Sequence, residues 1–187
     1  MSEHALIMAL PNESKGLFEA QGIDVHYSGI GKVNAAFKAF EVIQNTGCKT
    51  LLNLGTAGSS HFDAHALVEV SHFVQRDMDV SPLGFAVGVT PMDEHLPAEI
   101  HTPAYFEYLP KGICGTGDSF ETGVPKVHCN LVDMEGYALA KVCQKLGVRL
   151  ISVKYITDGA DDTAHLDWEE NLLVGAQKLL ALYQAHF

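Results

Sequence analysis

The sequence is short of positive charge. Twelve Lys and Arg stand against 23 Asp and Glu, for a formal net charge of -11. Nucleic-acid affinity rests on Lys and Arg contacts to phosphate, so this balance argues against a polyanionic partner. A small polar ligand carrying little negative charge fits better. Cysteine is also sparse: Cys48, Cys114, Cys129 and Cys143 form no C-x-x-C pair, and three of them fall in apolar stretches. They read as buried free thiols of a reducing compartment. No apolar run reaches the roughly 18 residues that span a bilayer, and no membrane partner is expected. The start Met1-Ser2-Glu3-His4 is acidic, and the apolar residues 5–10 are too few for the core of a signal peptide. The expected location is the cytoplasm.

Cofactor fingerprints are missing as well. Gly29-Ile30-Gly31-Lys32 lacks the third glycine of a dinucleotide loop and the spacing and Ser/Thr of a P-loop. Residues 158–162 lack the spacing of a calcium loop. No cofactor is expected. Repeats, linkers and low-complexity segments are absent, so the expectation is one domain over residues 1–187. A chain of this length buries roughly 70% of its unfolded surface.

What the sequence does carry is alternation. Residues 5–10 read as a buried strand, 12–21 as a short helix and 24–28 as a strand. Residues 32–45 have apolar side chains at 33, 36, 37, 40 and 43, a helical spacing that Gly47 ends. Strands are predicted at 50–54, 67–74, 127–132 and 148–157, the last rich in β-branched residues. A strand meets a loop within 112–117. Helices are predicted at 135–146 and 167–186. The stretch 75–112 is irregular, and six of the seven prolines lie at 82, 91, 97, 103, 110 and 125. The pattern predicts an α/β fold, a three-layer sandwich with a mixed, largely parallel central sheet.

Small-residue loops are predicted at the ends of three strands: Ser28-Gly29-Ile30-Gly31, Gly55-Thr56-Ala57-Gly58 and Gly115-Thr116-Gly117-Asp118. Glycine lets backbone approach a ligand closely. Acidic residues stand at strand or loop ends too: Glu13, Glu135 in Asp133-Met134-Glu135-Gly136, and Asp158 after Ile156-Thr157. Carboxylates at the rim of an α/β sheet suit an active site. One can bind a sugar hydroxyl while another protonates a leaving group. Taken singly, Glu13 reads as an exposed helix start, Asp158 as either a site acid or a helix cap, and Asp161 and Asp162 as solvated loop charges.

The motifs Ser28-Gly29-Ile30-Gly31-Lys32-Val33-Asn34-Ala35-Ala36, Asn53-Leu54-Gly55-Thr56-Ala57-Gly58, Gly117-Asp118-Ser119-Phe120, Val132-Asp133-Met134-Glu135-Gly136 and Ile156-Thr157-Asp158 together resemble the nucleoside phosphorylase/nucleosidase superfamily. The nearest branch by these motifs is the 5′-methylthioadenosine/S-adenosylhomocysteine nucleosidases. The resemblance implies that Glu13 orients an attacking water, with Thr56 helping to organise it. It implies that Glu135 binds the ribose 2′-hydroxyl, Met134 packs on the sugar and Asp158 protonates purine N7. Phe120 would stack on the base, with Ser119 beside it, and Ala57 and Gly58 would complete the substrate wall. It further implies a nucleoside substrate, no metal, and a homodimer, with the apolar 82–113 region as a candidate interface.

Phosphorylases of this superfamily carry Arg at the position of Asn53, and the first loop here, Ala9-Leu10-Pro11-Asn12-Glu13, has none, so water is favoured over phosphate. The chain departs from the family pattern in its short segment 22–25, in Lys154 and Tyr137, and in the poorly matched 81–112. Other readings stay open: within the resemblance, a phosphorolytic nucleoside phosphorylase or a futalosine-type nucleosidase; outside it, a metal-dependent hydrolase using His61, Asp63, His65 and His72, and a nucleoside-binding protein without catalysis.

Overall fold

The computed structural model describes residues 3–93, 98–121, 123–158 and 164–187. Among these residues eight strands and four α-helices follow one another: β1 (His4–Met8), α1 (Pro11–Ser14), β2 (Val25–Tyr27), α2 (Lys32–Thr46), β3 (Thr50–Gly58), β4 (Leu67–Gln75), β5 (Ile100–His101), β6 (Lys111–Thr116), β7 (Leu131–Asp133), α3 (Gly136–Leu146), β8 (Arg149–Asp158) and α4 (Ala164–His186). Every predicted helix and strand has a counterpart. The first helix is shorter than the expected 12–21 because Lys15 turns left-handed at φ 50°, and a separate 3₁₀ turn follows at Glu19–Gln21.

The sheet is mixed and largely parallel. β1 pairs in parallel with β2 and β3, β3 with β8, β4 with β6, and β6 with β7. β4 pairs antiparallel with β8 and β5, and β3 meets β7 antiparallel through Gly58 and Val132. These pairings run β3–β8–β4–β6–β7 and return to β3. The flat central layer of a sandwich therefore gives way to a sheet curled on itself, with β1 and β2 extending from one side. Closure leaves these five strands paired on both sides, which removes exposed edges.

Helices cover two faces. α2 and α3 pack over a core that includes Ala39, Val42, Leu51, Phe73, Leu131 and Leu139. On the other face Leu179 and Leu182 of α4 close over Leu6, Leu52, Leu54 and Val153, with Phe18 and Phe106 sealing the margin. Each fully buried Leu or Phe of this kind contributes about 1.5–3 kcal/mol. Gly47 ends α2 in the left-handed region at φ 65°, its N–H bonded to Ile43 O. A residue with a Cβ adopts that conformation at a cost, so the helix stops where the sequence suggests.

The face α2 turns inward is not its most apolar one. Ala35, Ala39, Val42 and Ile43 are buried, whereas Val33 is 79% and Phe37 71% exposed, with Ile30 and Phe40 beside them also exposed. Among the described residues no helix is long and apolar enough to cross a membrane.

Candidate active site

A cavity of about 230 Å³ opens where several strands end together. β1 runs out into Ala9 and Leu10, β3 into Thr56, Ala57 and Gly58, β8 into Thr157, and β7 into Asp133, Met134 and Glu135. β1, β3 and β8 are mutually parallel, so their carboxyl ends gather at one rim. The 117–121 segment adds Ser119, Phe120 and Glu121. Eight of the nine predicted site residues line this cavity: Glu13, Thr56, Ala57, Gly58, Ser119, Phe120, Met134 and Glu135.

The ninth, Asp158, closes β8 in its backbone, and its side chain lies outside what is described. Its register is informative. Ala57 pairs with Ile156 and Gly58 with Asp158, so Thr157 is the extra residue of a bulge. Bulges of this kind commonly re-aim residues beside active sites. Ala160, Asp161 and Asp162 lie outside the described residues.

Glu13 is buried and held at both carboxylate oxygens. Oε1 accepts from the Thr56 N–H and from Thr56 Oγ1, each at 2.9 Å. Oε2 accepts the N–H of Ala9 at 2.9 Å and of Leu10 at 3.2 Å. Four donors around one carboxylate fix its position in the cavity wall. The exposed-helix-start reading of Glu13 is thereby overturned. The predicted loop at Gly55-Thr56-Ala57-Gly58 is strand, not loop. Its small residues serve packing rather than turning, for a Cβ on Gly55 would stand 3.1 Å from Glu13 Oε1 and 3.6 Å from Lys154 Nζ.

Glu135 stands at the entrance to α3, and its Oε1 accepts the Gly31 N–H at 2.9 Å. Burial first, and the neighbouring Asp133 second, push its carboxyl up to about 7. Beneath it lies a buried ion pair: Lys154 Nζ is 2.9 Å from Asp133 Oδ2. Asp133 also accepts from Thr116 Oγ1 at 2.6 Å and from the Gly136 N–H at 2.9 Å. Burial opposes charge on both partners. The Lys154 ammonium nonetheless keeps Asp133 below its ordinary value, and Asp133 holds Lys154 above its own.

Asn53 is not at the cavity. Its amide donates to Ile7 O at 3.4 Å and accepts from Ser152 Oγ at 2.8 Å, inside the β1–β3–β8 layer. The histidines proposed for a metal do not gather either. His65 Nδ1 lies on Tyr155 OH at 2.5 Å, while His72 meets Ser71 Oγ at 2.7 Å and stacks edge-on against His101. Sequence reasoning missed Arg76, a buried arginine in the cavity wall, because a lone Arg in an irregular stretch follows no pattern.

A sequence model described as the phosphorylase superfamily matches residues 15–185. The chain belongs to this superfamily. It is 31% identical over 181 residues to an aminodeoxyfutalosine nucleosidase of Helicobacter pylori, covering 87% of this chain and 78% of that one. It is 30% identical over 193 residues to a 5′-methylthioadenosine/S-adenosylhomocysteine nucleosidase of a Marinomonas species, covering 90% and 82%. The solved structure of a futalosine hydrolase mutant from Helicobacter pylori superposes with a TM-score of 0.84 at 25% identity, over 95% of this chain and 94% of that one. The superfamily fold thus accounts for the curled mixed sheet and for the rim on which the carboxylates stand.

Proposed function

We propose that the protein, acting as one domain over residues 1–187, hydrolyses the N-glycosidic bond of a purine nucleoside. The favoured substrate is a 5′-thio-substituted adenosine, methylthioadenosine or adenosylhomocysteine. The observation that carries this reading is the seat of Glu13, a buried carboxylate fixed by four donors on the cavity wall, with the second carboxylate Glu135 in the same cavity.

Water lies against Glu13, which takes its proton as the oxygen bonds to the anomeric carbon. Glu135 accepts a hydrogen bond from the ribose 2′-hydroxyl as positive charge grows on the sugar, and Met134 packs against the ring. Asp158 gives a proton to purine N7, and the electrons of the breaking C–N bond leave with the neutral base. Phe120 stacks on that base. The products are free base and free sugar.

Phosphate is a poor alternative to water here. The backbone donors at Ala9, Leu10 and Thr56 already hold the carboxylate of Glu13, and a dianion would meet that charge. Arg76, the one arginine lining the cavity among the described residues, has both Nη atoms committed to the 117–121 segment. These points replace Asn53 as the reason to favour hydrolysis.

A second reading keeps the reaction and changes the substrate to aminodeoxyfutalosine, on the strength of the Helicobacter pylori relative. One assay covers both. The protein is incubated with methylthioadenosine, adenosylhomocysteine, aminodeoxyfutalosine, adenosine and inosine, with and without phosphate, and the products are identified. Free sugar at a rate indifferent to phosphate supports hydrolysis, and sugar 1-phosphate refutes it. Release from aminodeoxyfutalosine alone selects the second reading.

The same proposal includes a homodimer. The apolar stripe of Val33, Phe37 and Phe40 on α2, with Ile30 just before it, is a patch a second copy would cover, beside the 82–113 region expected from sequence, where Leu83, Met92 and Tyr108 are exposed. Its Ile30 also lines the cavity, so pairing there would shelter the substrate. The four free cysteines fit a cytoplasmic setting.

A further inference from the structure

Three consecutive residues at the exit of β4 reach three separate segments around the cavity. Gln75 donates from Nε2 to Thr90 Oγ1 at 2.8 Å and accepts Lys32 Nζ at 3.4 Å. Arg76 donates from Nη1 to Ser119 Oγ and to Glu121 Oε2, both at 3.0 Å. Its Nη2 donates to Gly117 O at 3.2 Å and to Ser119 O. Asp77 Oδ2 accepts the Asp118 N–H at 2.8 Å, and its Oδ1 holds Lys32 Nζ at 2.6 Å. Gly117, Asp118, Ser119 and Glu121 are thus each bonded to Arg76 or Asp77. Phe120 sits among them with its ring half exposed at the cavity.

The choice of side chain fits this task. A guanidinium presents a planar fork of donors and serves several acceptors on one segment, whereas an ammonium is a point charge without that geometry. Gly117 lets the plane lie close, since a Cβ there would stand 2.8 Å from Arg76 Cζ. The arrangement is costly, because the Arg76 side chain is 4% exposed and its Nε–H has no partner among the described residues. Apolar packing could secure a surface segment without burying a charge.

The same connections continue to the sugar side. Asp118 Oδ1 accepts the Lys32 N–H at 2.7 Å, and the preceding Gly31 gives its N–H to Glu135 Oε1 at 2.9 Å. Hydrogen bonds therefore run from Asp77 through Asp118 and residues 31–32 to Glu135.

We propose that Arg76 is a positioning residue for the nucleosidase reaction: it sets the height of the 117–121 segment and so brings Phe120 against the base of the bound nucleoside. The role of Phe120 rests on the functional reading above, whereas the grip on the segment does not. Arg76 touches the substrate through Phe120 and not through its own donors, which are spent on the segment.

The test uses the full chain carrying Arg76→Met or Arg76→Lys, with two measurements on each. Base release from methylthioadenosine should show KM raised about tenfold in Arg76→Met, the loss of charge-assisted hydrogen bonds, while kcat falls far less. Arg76→Lys, which keeps the charge and loses the fork, should fall between. Hydrogen exchange should be faster at the 117–121 amides and unchanged at those of β3 and β8. Unchanged KM with unchanged exchange at 117–121 overturns the proposal. So does faster exchange spread equally over β3 and β8, which marks general loss of stability. Where Arg76→Met does not fold, Arg76→Lys carries both measurements. A wild type that releases base from no nucleoside defeats the functional reading, while hydrogen exchange still decides whether Arg76 holds the segment.

Discussion

Lys154 Nζ and Asp133 Oδ2 lie 2.9 Å apart inside the closed part of the sheet, with both side chains buried. Removing one partner leaves the other as an uncompensated buried charge. Lys154→Met should destabilise the protein by about 3–5 kcal/mol, read by urea denaturation. The double variant Lys154→Met with Asp133→Asn should recover part of that loss, since it removes both charges.

Glu135 gives the site a pH response. Its carboxyl lies at about 7 against an ordinary 4.5, through burial first and Asp133 second. The folded chain holds this proton more tightly than the unfolded chain does. Its contribution to stability is therefore full below about 4.5 and is withdrawn as pH rises to about 7. In the proposed reaction activity follows the opposite course, because the ionised form would accept the sugar hydroxyl more strongly. The ratio kcat/KM should climb as pH rises toward neutral. Glu135→Gln should lose that climb along with most activity. A profile flat from pH 5 to 9 in the wild type would exclude the role given to Glu135.

Gly55→Ala should harm catalysis more than folding. Its Cβ would press on Glu13 Oε1 from 3.1 Å and move the carboxylate away from its donors. An ångström of misplacement costs up to about 100-fold in rate. Steady-state kinetics beside a thermal melt separates the two effects, and equal losses in both would count against the assignment of Glu13.

Asp158→Asn removes the proton proposed for N7. Turnover should fall to background while adenine still binds, measured by calorimetry. Turnover at the wild-type rate would remove Asp158 from the mechanism.

Phe37→Asp puts charge into the exposed α2 stripe without touching the core, as Phe37 is 71% exposed. Sedimentation should report a dimer for the wild type and a monomer for the variant. A wild-type monomer would end the homodimer proposal.

Much of this was legible in the sequence, and what was not has a physical reason. Periodicity located α2, α3 and β8, because helix and strand faces leave a trace in apolar spacing. It did not give strand partners: β4 lies antiparallel to β8, 88 positions away by the register Leu67↔Tyr155, and no local pattern encodes that. The two-residue β5 is too short for any period. Apolar spacing in α2 identified the helix but not its inward face, because Val33 and Phe37 point away from the core. The Gly55–Gly58 run looks like a turn until Glu13 and Lys154 are seen against it. Within the site, Glu13 and Glu135 could be found as acids at element ends, whereas Lys154, marked in the sequence only as a departure from the family pattern, gave no sign of its buried pair with Asp133.

The hydrogen bonds around Glu13 bear on the direction of the chemistry. In the proposed reaction the pocket carries its own fixed carboxylate and draws its second reactant from the solvent, which is always in vast excess. Bond cleavage then has no practical reverse. A nucleoside cleaved in such a pocket is not rebuilt there, whatever the surrounding supply of phosphate.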